Sequence, residues 1–170
     1  MDLPRIILLS GWLSMYVIWF VSDPRSIKER YKMYLTPRPL TYGIISLTIV
    51  LVSVFGAANF QWPNTNLDLF FMYWGLCLFG YGLALAIWAK FTMKATWGIP
   101  YQHNIKTQKK LIKNGPFEYS RNPIYLGLIF MFFGFFITLK SNLIIFAFLG
   151  AYYFYKAALK EEKLLEKHFG

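Results

Sequence analysis

The chain has 170 residues, 56% of them hydrophobic and 21% aromatic, and only 15% carry charge, against roughly 25% in a soluble domain. That composition excludes a soluble single-core domain and makes a bilayer the natural solvent. The formal net charge is +10, but the cations fall in the connections between apolar runs, so anionic headgroups are the ordinary partner and nucleic acid is not expected.

Five apolar runs follow in chain order: Ile6 to Val21, Leu40 to Ala58, Leu67 to Ala89, Ile124 to Leu139 and Leu143 to Leu159. They predict an all-α integral membrane protein of about five transmembrane helices. The first and fourth runs approach the short limit of roughly 17 residues, so their polar neighbours should sit at the interface. The first run follows Asp2 and a lone Arg5, with no small-residue cleavage site after it, and reads as an uncleaved anchor. Cys77 is the only cysteine, which excludes disulfides within the chain and Cys-based metal sites.

Lys and Arg in the successive connections number 1, 5, 0, 7, 1 and 4. That alternation predicts five crossings, with the amino terminus outside and the carboxyl terminus in the cytoplasm. Only Lys140, Ser141 and Asn142 separate the last two runs, which predicts a tight antiparallel helical hairpin. Gly127 and Gly134 lie on one face of the fourth helix, and Ala147, Gly150 and Ala151 form a small face on the fifth. Such faces let membrane helices approach closely. The chain reads as one membrane domain over 1–170. Residues 1–90 hold three helices and a basic loop; residues 91–170 hold a further loop, the hairpin and the tail.

The stretch "NGPFEYSRNPIYLG", residues 114 to 127, is unusually specific for so apolar a chain. Asn114-Gly115-Pro116 signals a turn after the basic strip "KTQKKLIK". Asn122-Pro123 then opens the fourth helix, with proline in the first turn, where a missing N–H is harmless. The tail, "KAALKEEKLLEKHFG", departs from an ordinary surface helix, since Lys156/Lys160, Glu162/Glu166 and Lys163/Lys167 are like-charge pairs at i,i+4. Glu161 has Ala157, Ala158, Leu164 and Leu165 as its three- and four-residue neighbours. A carboxylate on such a face is costly unless a donor or cation meets it, so Glu161 is the leading ligand contact. Glu162 and Glu166 read as solvated face. His103 and His168 are isolated, no metal-binding set is present, and nothing forms a Ser-His-Asp or Cys-His arrangement.

"LIKNGPFEYSRNPIYLG", a helical hairpin and then "EEKLLEKHFG" resemble the integral-membrane methyltransferases of the isoprenylcysteine carboxyl methyltransferase and phospholipid methyltransferase superfamily. The resemblance covers roughly Gln102 to Gly170. It implies methyl transfer from S-adenosylmethionine to a lipidic or isoprenoid-like acceptor. The implied pocket lies at the cytoplasmic face, between the loop before the fourth helix and the C-terminal helix. Carried over by position, Gln102, Lys109, Lys110, Leu111, Ile112, Phe117, Asn122, Pro123, Ile124, Tyr125 and Glu161 bind the cofactor. Arg121, Asn122 and Tyr125 carry the catalytic positions.

Phe117 stands where the family usually has Tyr, which keeps a stacking surface without a hydroxyl. Asn122 replaces His, which removes a proton carrier. Ala157 replaces an Arg thought to hold a prenylcysteine carboxylate, which argues against that acceptor. Two other readings stand beside this one. Sterol reductases have a similar C-terminal hairpin and bind NADPH, although this loop offers only Arg121 for a 2′-phosphate. A non-catalytic scaffold is the other, favoured by Phe117, Asn122 and an end at "HFG" where relatives continue.

Overall fold

The computed structural model describes residues 2–23, 26–55, 61–93 and 112–169. Among these residues the chain forms six α-helices and no strand beyond a single bridge between Gln61 and Ser141. They are α1 (Leu3–Val21), α2 (Ile27–Tyr34), α3 (Pro37–Phe55), α4 (Asp68–Met93), α5 (Pro123–Thr138) and α6 (Ile145–Phe169). Three segments are long and apolar enough to cross a membrane: Leu3–Val21, Asp68–Met93 and Asn142–Lys167. α6 continues without a break from that apolar segment into the charged tail. The tail carboxylates are therefore carried on the same rigid rod as its membrane-compatible turns.

The closest packing joins α4 to α5, and glycine makes it possible. A Cβ on Gly82 would lie 2.5 Å from the Gly127 carbonyl oxygen, and one on Gly127 would lie 2.7 Å from the Gly82 oxygen. Seven residues away the same exchange recurs. A Cβ on Gly134 would lie 2.6 Å from the Gly75 oxygen, and one on Gly75 would lie 2.6 Å from the Thr138 nitrogen. Seven residues up α4 correspond to seven residues down α5, so the two helices run antiparallel with their backbones touching. In lipid, helices gain no hydrophobic free energy from meeting, and close van der Waals approach of this kind drives association.

The glycine face of α5 is thus covered by α4. On α6, Ala147 is fully buried, whereas a Cβ on Gly150 would meet nothing within 4 Å. α6 instead reaches α5 through aromatic rings: Phe148 meets Phe133 at a centroid distance of 4.9 Å, and Phe154 stacks on Tyr125 at 5.6 Å.

α1 packs against both α4 and α5. Trp12 meets Phe132 edge-on at 5.1 Å and lies 6.3 Å from Phe79. A hydrogen bond of 2.7 Å between Tyr16 and Ser46 links α1 to α3, and Val50 and Val54 of α3 enter the same core.

The end of α5 is tied down without glycine. Lys140 adopts φ +50°. Its N–H donates to the Ile137 carbonyl at 3.0 Å, and the Ser141 N–H donates to Phe136 at 3.0 Å. This double closure is the usual helix stop, but with lysine where glycine is preferred. A left-handed lysine costs roughly 1–2 kcal/mol. Its side chain offsets this by reaching Asp68 at 2.6 Å and Asn64 at 3.2 Å, while its carbonyl accepts from the Trp62 N–H at 2.7 Å. The turn after α5 is thereby stitched to the segment that leads into α4.

Candidate functional site

Gly115 has φ +62°, a conformation that strains any side-chain-bearing residue, and it opens a one-turn 3-10 helix, Gly115–Glu118. A Cβ there would lie 3.2 Å from Thr92 Oγ1 and 3.5 Å from Trp88 Nε1, so the turn sits against the carboxyl end of α4. Pro116, fully buried, receives the Tyr119 and Ser120 N–H groups on its carbonyl at 3.3 and 3.2 Å. Ser120 Oγ then accepts from the Asn122 N–H at 3.2 Å. This chain of local bonds delivers Asn122 to the start of α5.

Asn122 is the N-cap of α5, yet its side chain makes no capping bond. A capping Asn ordinarily accepts from the second or third helical N–H and stabilises the helix by about 1 kcal/mol. Here the amide leaves the cap and donates through Nδ2 to Glu162 Oε1 on α6 at 3.0 Å. A carboxylate only accepts, so the amide nitrogen must be the end that faces it.

One turn into α5, the Tyr125 hydroxyl donates to Glu161 Oε1 at 2.5 Å. This is the short range of a charge-assisted O–H to carboxylate bond. Tyr125 is buried, its ring flat against Phe154 at an interplanar angle of 19°. Beneath Glu161, Ala157 is only 1% exposed, so α6 presents a small residue where α5 comes closest. Arg121 approaches Glu162 Oε2 at 3.6 Å with its side chain 76% exposed. Such a pair is worth under about 1 kcal/mol, so the Asn122 bond, not the ion pair, holds Glu162 in place.

Of the residues singled out by sequence, Arg121, Asn122, Tyr125 and Glu161 thus converge across α5 and α6. Pro123 is fully buried at the first position of α5, with Ile124 half-buried after it. Ile112 and Phe117 are half-buried in the segment before them. Gln102, Lys109, Lys110 and Leu111, with His103, lie outside the described residues.

Two charged residues, one at the site and one buried on α4, escaped the sequence reading. Glu162 is half-buried and bonded, where a solvated face was expected. Adjacent helical residues diverge by about 100°, so a neighbouring helix end can take a bond from each of two consecutive glutamates. Beyond the doubled acid itself, this pairing left no mark in the sequence. Lys90 is only 1% exposed near the end of α4, one turn beyond Ala86, whose Cβ a methyl on Gly127 would press. It directly follows an apolar run, and sequence assigned it to the loop.

The arrangement offers two carboxylates oriented by neutral donors, beside an exposed guanidinium, where the start of the apolar helix α5 meets α6. Carboxylates so placed attract a cationic group. Among the described residues, no group of acidic, His or Cys side chains is suited to hold a metal ion.

A family model described as phospholipid methyltransferase matches residues 70–170, which take in almost all of α4 and all of α5 and α6. No curated protein matches the chain, and no solved structure does.

Proposed function

Because the chain belongs to the phospholipid methyltransferase family, we propose that it transfers a methyl group from S-adenosylmethionine to a lipidic or isoprenoid-like acceptor at the cytoplasmic face of the membrane. One observation carries this reading. The two sequence segments that make up the resemblance are joined by Tyr125 to Glu161 and Asn122 to Glu162.

The donor set suits the cosubstrate by charge. S-adenosylmethionine bears an ammonium, a sulfonium and a carboxylate, and the site offers Glu161, Glu162 and Arg121. Glu161 holds the ammonium, with Tyr125 fixing its orientation. Phe117 offers a stacking surface to the adenosyl group, with Pro123 and Ile124 beside it, and the strip Lys109, Lys110, Leu111 and Ile112 gives it backbone contacts, with Gln102 the remaining cofactor position. When bound, the sulfonium supplies an electrophilic methyl whose bond to sulfur breaks, the electron pair passing to sulfur as a lone pair of the acceptor forms the new bond. What the chain contributes is alignment and exclusion of water. Asn122 cannot carry a proton, so any proton on the acceptor leaves by another group or by water.

The fold also supports a membrane-borne acceptor. α5 has 16 residues, about 24 Å of helix, against a hydrocarbon thickness of about 30 Å. Five crossings with the amino terminus outside require α5 to span despite this shortfall. The mismatch draws Arg121, Asn122 and Tyr125 towards the acyl region, within reach of a lipid that never leaves the bilayer.

Calorimetric titration of the chain in nanodiscs tests the proposal. S-adenosylmethionine should bind saturably, NADPH should not, and Glu161→Ala should abolish the heat. Binding of NADPH alone, or binding unaffected by the substitution, would contradict it.

A further inference from the structure

α2, Ile27–Tyr34, bridges α1 and α3, and its start is built to be a helix in its own right. Ser26 Oγ accepts from the Glu29 N–H at 3.3 Å, while the Glu29 carboxylate accepts from the Ser26 N–H at 3.0 Å and from its hydroxyl at 2.8 Å. This reciprocal box fixes the amino end.

The rotation of α2 is fixed as well. Arg30 donates to the Phe20 carbonyl at 2.8 Å and lies 5.6 Å from the centre of the Phe20 ring. Tyr31 meets the same ring edge-on at 5.7 Å. A cation on the last turn of α1 also suits its dipole.

What α2 then leaves outward is patterned. Ile27, Tyr31 and, just past the helix end, Leu35 recur every four residues and share one face; they are 64%, 55% and 62% exposed, Tyr31 even with its ring against Phe20. Lys28 and Lys32 form the adjoining row and are exposed. The only acid in the helix, Glu29, is engaged by Ser26. A surface helix of a soluble chain hides its apolar row; this one displays it, edged with cations, between two apolar helices.

We propose that α2 is a membrane-surface helix that binds anionic phospholipid headgroups through Lys28 and Lys32, with Ile27, Tyr31 and Leu35 set into the acyl boundary beneath them. The apolar row selects a lipid over other polyanions, which have no use for it. Charge selects anionic over zwitterionic headgroups. Lysines beside an apolar row keep their stems in the hydrocarbon and raise their ammonium groups to the phosphates. This surface is separate from the Glu161 site and does not depend on methyl transfer.

Native mass spectrometry of the solubilised full chain, titrated with phosphatidylglycerol or phosphatidylcholine, tests this. Wild type should prefer phosphatidylglycerol. The apparent affinity should fall about fivefold for each lysine removed in Lys28→Gln/Lys32→Gln. Lys28→Arg/Lys32→Arg should keep the preference, and so should Lys163→Gln/Lys167→Gln on the exposed α6 tail. Undiminished phosphatidylglycerol binding by the Lys28/Lys32 glutamine variant would overturn the proposal. So would an equal loss in the tail variant.

Discussion

Two consecutive glutamates on α6 do different work because one helical step separates their directions. Glu161 meets the hydroxyl of buried Tyr125; Glu162 meets the Asn122 amide and the Arg121 guanidinium. Hydrogen bonds to a charged group contribute roughly 1.5–3 kcal/mol, so the Tyr125 bond sets the orientation of Glu161. Tyr125→Phe keeps the ring on Phe154 and removes only that donor. It should raise the Kd for S-adenosylmethionine about tenfold or more and lower the thermal midpoint by a few degrees. Titration and melting on the same preparation check both halves, and an unaltered Kd would show that the hydroxyl does not orient the carboxylate. Glu161 was legible in sequence because its helical neighbours offer nothing to a carboxylate. Glu162 was not, since a capping residue that leaves its own helix to bond another has no local signature.

At the scale of elements, the approach of α4 to α5 positions the site, because it fixes where α5 begins. The glycines on α5 were visible as a close-packing face, yet sequence spacing cannot say which helix fills it. Gly75 and Gly82, seven apart on α4, turn out to be the complement. Gly134→Ala must push the two backbones apart, since its Cβ would lie 2.6 Å from the Gly75 oxygen. Overpacking of this kind costs about 1–3 kcal/mol, and it should lower resistance to thermal unfolding in detergent by a corresponding amount. Gly150→Ala, whose methyl meets nothing within 4 Å, should be neutral or slightly stabilising. Equal melting of the Gly134 variant and wild type would mean that the helices are not in backbone contact. The Lys140 turn shows the converse limit. A left-handed lysine cannot be foreseen from spacing, because its cause, Asp68, lies on another helix.

For the whole molecule, each of the five apolar runs is helical over most of its length among the described residues, since long apolar stretches leave the backbone no other way to satisfy its hydrogen bonds in lipid. α2 was hidden because its eight residues carry no long apolar run; in sequence it showed only within the cation-rich connection from Ser22 to Pro39. The segments around Asn122 and Glu161 are 36 to 40 residues apart in the chain, and their resemblance to one family marked them as a pair before any contact was known. Methyl transfer to a lipid requires that pair to form one site open to both water and the bilayer. The most direct test is to incubate the chain, reconstituted in a membrane lipid extract, with methyl-tritiated S-adenosylmethionine and then separate the phases. Tritium should enter the organic phase with wild type and fall to background with Glu161→Ala. Label confined to the aqueous phase across lipid extracts of varied composition, or equal labelling by the variant, would contradict it.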